Sequence, residues 1–482
     1  MEPRTDLEKR VSASPIAVFQ RLGASRTPAD TPVLFGTVHV LGAGIGGLFA
    51  ARVLSDHAER VVVIDPDAGE GDNGRAPRPG VPQGPQVHTL MPGGLRQLER
   101  WYPGAARQAE ARGAVLPGPD RSASYVDGVQ QIPTPNVHLL ICTRPFLEGL
   151  VRERTLGLPN VELVAGRVTG LVHDGRRVTA VTCTTGAGEV VRAGDFFVDA
   201  TGRGSRMADW LEAGEWPRPP MERLHVDVRY VTAHFERSPD WTGPLSGITR
   251  HSPRFASGPF AGAAVNAVED RRWAVMLASY GDDPQVSDPE GFRARCAELQ
   301  PVYQEAVKGR LIGRPVPFRH PDNRWRHFEA LDRFPARLVA TGDAVASFNP
   351  VHGQGMSSAM LHASCLSEYL RGEPDLDTPA RHFFALQHVV VAAAWQTSAT
   401  ADAVRLGLAE RPGAGPRSRT DWAMRHIMAA AVHDSRVAEA FRDVSFMLAH
   451  PATLLAPGLV RRAARANGVP DEEFDRAYGP AA

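Results

Sequence analysis

The chain has 482 residues, and 54 lysines and arginines are matched by 54 aspartates and glutamates, so the formal net charge is zero. That length allows more than one domain and a sizeable core. The charge balance leaves no basic surplus of the kind that nucleic acid or an anionic membrane selects. Lys9 and Lys308 are the only lysines, and the arginine, alanine, glycine and proline bias reads as a GC-rich genome. Cys142, Cys183, Cys296 and Cys365 are far apart, with no spacing for zinc or thiol exchange, and read as reduced thiols. The N-terminus is charged, without an apolar signal core, and the apolar run 389–395 is far short of the roughly 20 residues that span a bilayer. A cytoplasmic protein with no membrane span, no metal and no nucleic-acid partner is expected.

In chain order, residues 1–35 are polar and read as a loosely packed extension. Residues 38–41 form a short apolar strand and 45–55 an amphipathic helix. Arg-Val-Val-Val-Ile-Asp at 60–65 is a β-branched run, the pattern of a parallel strand buried on both faces. Strand, Gly-rich turn, helix and strand make a βαβ unit. A Gly/Pro/Arg-rich loop covers 70–86. Helices are predicted at 94–100 and 144–153. Strands are predicted at 161–165, 178–184 and 196–199, with a turn at His173-Asp-Gly. From 221 to 280 the pattern alternates, as in antiparallel strands. A buried strand returns at 338–340, a helix at 355–370, and helical patterns dominate 378–408 and 421–448. The expected fold class is α/β. A Rossmann-like domain in two parts (36–218 and 331–380) holds an inserted, mostly antiparallel β domain (219–330). An N-terminal extension (1–35) precedes it and a C-terminal helical region (381–482) follows. There is no internal repeat.

Gly42, Gly44 and Gly47 form Gly-x-Gly-x-x-Gly between a strand and a helix, with Ile45 and Gly46 inside the turn. The first glycine permits the tight turn, the second lets backbone approach a pyrophosphate, and the third lets helix and strand pack. The helix N-terminus then offers free N–H groups to an anion. Asp65 ends the second strand, where a carboxylate meets an adenosine ribose. This motif does not separate FAD from NAD. Gly342-Asp343, after a late buried strand, places a carboxylate for polyol hydroxyls. Pro350, Gly353, Gln354, Gly355 and Met356 then lead into a second helix N-terminus, suited to negative charge on a reduced flavin pyrimidine. Alone, that segment reads equally well as a capped strand–loop–helix turn.

Three stretches carry a family resemblance: Arg78-Pro-Gly-Val-Pro-Gln-Gly-Pro-Gln-Val-His88, Asp199-Ala-Thr-Gly-Arg-Gly-Ser205, and Gly342-Asp-Ala-Val-Ala-Ser-Phe-Asn-Pro-Val-His-Gly-Gln-Gly-Met356. Across about residues 38–370 the chain resembles the group A flavoprotein monooxygenases, the aromatic-hydroxylase-like superfamily. Within them it most resembles actinobacterial flavin epoxidases and hydroxylases of polyketide pathways. The resemblance implies FAD as cofactor, with Gly42, Gly44, Ile45, Gly46 and Gly47 at the pyrophosphate and Asp65 at the ribose. Arg144 would face the phosphate–ribityl region and Asp343 the ribityl chain. Arg78, Gln83, Val168, Asp199, Gly202, Gly342, Gly353, Gly355 and Met356 would line the rest. His352, His88 and Pro350 would lie near the ring as catalytic candidates. Relatives often carry His-x-His where this chain has Gln86-Val87-His88. Trp273, Tyr280, Phe318 and Trp325 are candidates for an apolar substrate pocket or for ordinary core.

The implied reaction is epoxidation or hydroxylation of a polyketide-like or terpenoid intermediate by O2, through a flavin C4a-hydroperoxide. NADPH or NADH would be the reductant, directly or through a flavin reductase, since no second Gly-x-Gly-x-x-Gly occurs. A small hydrophobic substrate and a monomer or homodimer are expected. A redox-neutral FAD-binding cyclase or isomerase fits the same motifs, and a non-catalytic flavin-binding protein is a third class. A flavin halogenase fits less well, because neither lysine lies in the dinucleotide domain and Glu215-Trp-Pro does not match its motif.

Overall fold

The computed structural model describes residues 14–68, 77–251, 260–280, 288–407 and 418–478. The predicted loop 70–86 is described only from residue 77.

A parallel five-stranded sheet forms the centre. Its order is Leu338–Ala340, Phe196–Asp199, Phe35–Leu41, Ala58–Asp65, Val161–Ala165. Val61, Val62, Val63 and Ile64 are at most 1% exposed, which is why that run carries no polar alternation. The helix Ile45–Leu54 follows the first strand, as the glycine pattern predicts. Leu41 lies beside Ile64 on one side and Asp199 on the other, and Ala340 lies beside Asp199. The Gly42 turn, Asp65, the Asp199 turn and Asp343 therefore leave the sheet at one edge, the carboxyl ends of its strands. In open α/β sheets that edge is where ligands bind. A three-stranded antiparallel sheet (Arg167–His173, Val178–Thr185, Gly188–Ala193) sits beside it.

The second sheet has eight strands. The order is Ala346–Ser347, Leu311–Arg326, Met221–Glu236, Arg272–Tyr280, Phe260–Val268, Ser246–Arg250, Ser122–Val126, Val129–Gln130. Its pairing is antiparallel except where Ser246–Arg250 runs parallel to Ser122–Val126. Three of its strands come from outside 219–330. Residues 122–126 and 129–130 extend one edge, and Ser347 pairs with Arg324 at the other. One face is closed by the helices Pro289–Ala297 and Pro301–Ala306. Phe292, Cys296 and Tyr303 pack there against Phe235 and Trp273, so Trp273 is core.

The N-terminal segment departs from its expectation. Its described part is ordered by the helix Pro15–Leu22, which buries Val18, Phe19 and Leu22. Its Arg21 pairs with Glu368 at 2.6 Å. The loose reading failed because three apolar residues spaced one helical turn apart are a weak signal until a partner surface is known. That surface is the pair of helices Gly355–Arg371 and Arg381–Arg405. Gln387 of the latter donates to the Ala340 carbonyl at 2.9 Å, tying the C-terminal region to the central sheet. Further helices, from Arg419 onward, build small cores of their own around Trp422, Phe474 and Tyr478. All four cysteines are buried and unpaired. Among the described residues no helix is long and apolar enough to cross a membrane.

Candidate functional site

The two Gly-rich segments meet in space. A Cβ at Gly46 would lie 3.4 Å from the Gly342 Cα, so the first helix and the late Gly-Asp turn touch through glycine. Gly42 has φ +110, and a Cβ there would reach the Ala200 carbonyl oxygen at 2.5 Å. A Cβ at Gly47 would lie 1.9 Å from the Gly42 oxygen. Both glycines are thus demanded by the protein's own backbone. Gly44 is different: a Cβ there would meet nothing within 4 Å, and the helix it begins has no side-chain cap. Open space in front of uncapped N–H groups is what a pyrophosphate requires. Ile45 is buried beneath this turn.

Asp65 accepts the Ala43 N–H at 2.6 Å and the Asp67 N–H at 2.9 Å. Arg78 reaches Asp65 at 3.3 Å and the Ala43 carbonyl at 3.1 Å. It also pairs with Asp67 at 3.7 Å and with Glu148 at 3.0 Å, and Glu148 in turn binds the Arg144 Nε at 2.8 Å. Burial alone would raise the Glu148 carboxyl, but Arg144 and Arg78 hold it below the ordinary range. Glu148 was not foreseen. Its signal was the spacing of four from Arg144 on one helix face. Arg144 itself is 9% exposed at the first turn of Arg144–Leu156.

Asp343 stands apart from these pairs. Its carboxylate takes no hydrogen bond from the described residues, and burial raises its pKa against the pull of Arg144, Arg203 and Arg326. An unpartnered, half-buried acceptor at this sheet edge fits the hydroxyls of a ribityl chain. The turn around it is fixed from behind. Gly342 has φ +60 and donates its N–H to His362 Nδ1 at 3.0 Å. Arg326 donates to the Ala344 carbonyl at 3.0 Å and to the Arg203 carbonyl at 3.3 Å, joining this turn to the one after Asp199. No local sequence pattern marked His362 or Arg326, because both act across long separations. Gly355 also faces open space at the start of its helix, and Met356 packs against the main core.

Asp199 is used within its own turn. It is fully buried and accepts from Thr201 N–H at 2.9 Å, from the Thr201 hydroxyl at 2.6 Å, and from Ser205. Gly202, with φ +75, closes that turn. Gln83 lies in the loop and contributes its carbonyl to Gln86 N–H at 2.9 Å. Val168 lies on the edge strand Arg167–His173, against the core.

Toward the second sheet, Gln86 accepts from the Thr232 hydroxyl at 2.7 Å and donates to the Val316 carbonyl at 3.3 Å. This residue, where relatives often have histidine, ties the loop to the β domain. The His88 Nδ1 lies 2.9 Å from the Gln86 carbonyl, which fixes that nitrogen as the donor and leaves Nε2 as an acceptor. Burial, aided by Arg144, pushes His88 down to about 4, so the ring is neutral near pH 7. Pro350 is exposed at the start of the turn Pro350–His352. Gly353, with φ +67, ends it, and a Cβ there would strike Met91 at 2.5 Å. The His352 Nε2 is buried without a hydrogen bond, 3.9 Å from an Asp402 oxygen.

Beside this turn lies an apolar wall. Val351, Met276, Tyr280 and Phe318 pack against a buried cluster that includes Tyr230, and Phe318 is stacked on Tyr230 at 6.3 Å. Trp325 packs elsewhere, against His327 and Trp395. Of the aromatic candidates, Tyr280 and Phe318 therefore share a cluster with Val351 of this turn, and Trp273 and Trp325 pack elsewhere.

Residues 36–373 match the family described as an FAD binding domain. The chain is 32% identical over 348 residues to Protein Rv3254 of Mycobacterium tuberculosis (strain ATCC 25618 / H37Rv), covering 69% of this chain and 72% of that protein. It is 24% identical over 349 residues to para-nitrophenol 4-monooxygenase of Pseudomonas sp. (strain WBC-3), covering 69% and 77%. The fold is similar to that of the flavin-dependent brominase Bmp2, with a TM-score of 0.63 at 14% identity, covering 92% of this chain and 99% of that one. The glycine turns, the carboxylates at the sheet edge and the match across 36–373 agree: the chain belongs to the FAD binding domain family.

Proposed function

We propose that the protein is a monooxygenase that epoxidises or hydroxylates an apolar polyketide-like or terpenoid intermediate. The observation that carries this reading is the placement of the apolar wall of Val351, Tyr230, Met276, Tyr280 and Phe318 directly beside the Pro350–His352 turn. That turn leads from the Gly342-Asp343 segment into the helix that begins at Gly355. Gly44 and the helix start at Ile45 hold the pyrophosphate of FAD, and Asp343 accepts from the ribityl hydroxyls. Asp65, locked by Arg78 and the Ala43 N–H, has one acceptor position left for the ribose. Arg144, fixed by Glu148, offers its remaining N–H groups toward the phosphate–ribityl region. FAD, when bound, would supply the activation of O2, and NADPH or NADH, directly or through a reductase, is the proposed reductant.

The chain's own groups do the rest. The wall excludes water and orients an alkene or electron-rich ring. The His88 ring is neutral and leaves its Nε2 as a hydrogen-bond acceptor. An alkene requires no base, so the lack of a paired-carboxylate or Ser/His set at the wall suits epoxidation. The relative named as a para-nitrophenol 4-monooxygenase supports oxygenation as the reaction class.

The test is to purify the chain, confirm a flavin chromophore, and supply candidate apolar substrates with NADPH or NADH and O2. A product heavier by one oxygen is expected. An isomer formed without consumption of reductant or O2 overturns the reading in favour of a redox-neutral cyclase.

A further inference from the structure

The helix Arg381–Arg405 carries a carboxylate into the site. Asp402 is 2% exposed. It accepts from Asn349 Nδ2 at 2.9 Å and Asn323 Nδ2 at 3.0 Å. The same oxygen that meets Asn349 faces His352 Nε2 at 3.9 Å. Asn349 relays the contact: its Oδ1 accepts from the Tyr230 hydroxyl at 3.2 Å and from the Val351 N–H at 3.1 Å. Its Nδ2 also reaches the Tyr280 hydroxyl at 3.3 Å. Two segments, the strand at Asn323 and the turn Asn349–His352, thus meet the buried oxygen pair, and Asn349 links it to Tyr230 and Tyr280.

The charge around it is unbalanced. Asn323, Asn349, Tyr230 and Tyr280 are neutral. Burial pushes the neighbouring His320 down to about 4, so it too is neutral near pH 7. Arg405 lies three residues on, but its guanidinium sits 3.6 Å over the Tyr280 ring and donates to the Val226 carbonyl. Burial would raise Asp402, yet its contacts with His352, Asn323 and Asn349 hold it below the ordinary range, so it stays ionised. A buried carboxylate is expensive to keep unless it is hydrogen-bonded or paired, and the partners of this one are two asparagine amides and the His352 ring. Both oxygens are used as acceptors, so asparagine here would set an NH2 group against the Nδ2 of Asn323 or Asn349.

We propose that Asp402 is a positioning residue of the flavin site, orienting Asn349 and His352 and placing a fixed negative charge behind the Pro350–His352 turn. This rests on the reading that the turn faces the flavin ring. The C-terminal helical region is then part of the site rather than a cover over it. The negative charge disfavours electrons on the ring and so holds the potential of the bound flavin down.

The experiment uses the full chain loaded with FAD. The midpoint potential and visible spectrum of the bound flavin are compared for the native chain, Asp402→Asn and Asp402→Glu. Asp402→Asn is expected to keep FAD, because the phosphate and ribityl contacts are untouched. Its reduced-to-oxidised equilibrium rises roughly tenfold, a shift of about 30 mV to more positive potential for a two-electron couple. Asp402→Glu returns toward the native value. A potential and spectrum unchanged in Asp402→Asn, with only thermal stability lowered, overturn the proposal and make Asp402 a packing residue. If Asp402→Asn does not fold, His352→Gln, at a side chain 18% exposed, reads the same link. A changed spectrum supports it and an unchanged one overturns it. A native chain that takes up no FAD defeats the flavin reading itself, a different outcome from a flavin-loaded variant without a shift.

Discussion

His362 accepts the backbone N–H of Gly342 on its Nδ1 at 3.0 Å, so a helix side chain sets the turn that presents Asp343. The ring is 1% exposed, and its second nitrogen lies 3.5 Å from the Ser358 hydroxyl. Because Nδ1 must accept, the proton sits on Nε2 and the imidazole is neutral. Replacing His362 by leucine leaves a buried N–H unpaired, at about 1–3 kcal/mol. We expect His362→Leu to lower both the unfolding midpoint and the flavin retained after gel filtration. Retention equal to the native chain would detach His362 from the site.

Acid should destabilise the protein before its carboxylates titrate. Burial pushes His88 and His320 down to about 4 and His362 to about 3, from an ordinary value of 6.5. In this window the unfolded chain binds protons that the folded chain does not. Stability is therefore full above about pH 6.5 and falls as the pH drops toward 4. Each histidine adds up to about 1.4 kcal/mol per pH unit to the slope. Urea unfolding between pH 7.5 and 5 measures it, and His320→Gln should flatten it. A slope of opposite sign contradicts the assignment.

The glycines of the first motif should separate by phenotype. Gly44→Ala places a methyl in open space at φ −75, which alanine adopts freely. It should fold with nearly native stability while losing most of its FAD. Gly47→Ala drives a methyl into the Gly42 carbonyl and should lose stability as well, by at least about 1–3 kcal/mol. Circular dichroism melts of flavin-free protein, with flavin content measured in parallel, distinguish the two. A Gly44→Ala chain that retains full flavin would remove the pyrophosphate from this turn.

The two aspartates at the sheet edge should likewise divide. Asp343 has no partner within the described protein, whereas Asp199 serves Thr201 and Ser205. Asp343→Ala should weaken FAD retention without lowering the melting temperature of the flavin-free chain. Asp199→Ala should lower that temperature, because stranding its donors costs roughly 1–3 kcal/mol of stability. Unchanged flavin content in Asp343→Ala refutes the ribityl role.

Much of the central domain was legible in the sequence because its signals are local. The run Val61–Ile64 is uniformly apolar because both faces of that strand are buried. Gly42 and Gly47 are dictated by backbone within the same turn and the strand beside it. Strand edges, helix starts and an acid at the end of a strand each follow from a few adjacent residues. Only the folded chain shows that Gly46 lies against Gly342, that Glu148 joins Arg78 to Arg144, and that Asp402 reaches Asn349. Nor does any periodicity assign residues 122–130 and 346–347 to the β domain, since edge pairing depends on strands far away in sequence. Short-range sterics and periodic burial are written into neighbouring residues. The partner of a lone carboxylate or guanidinium is decided by long-range packing, which brings distant charges within a few ångströms and has no local signature.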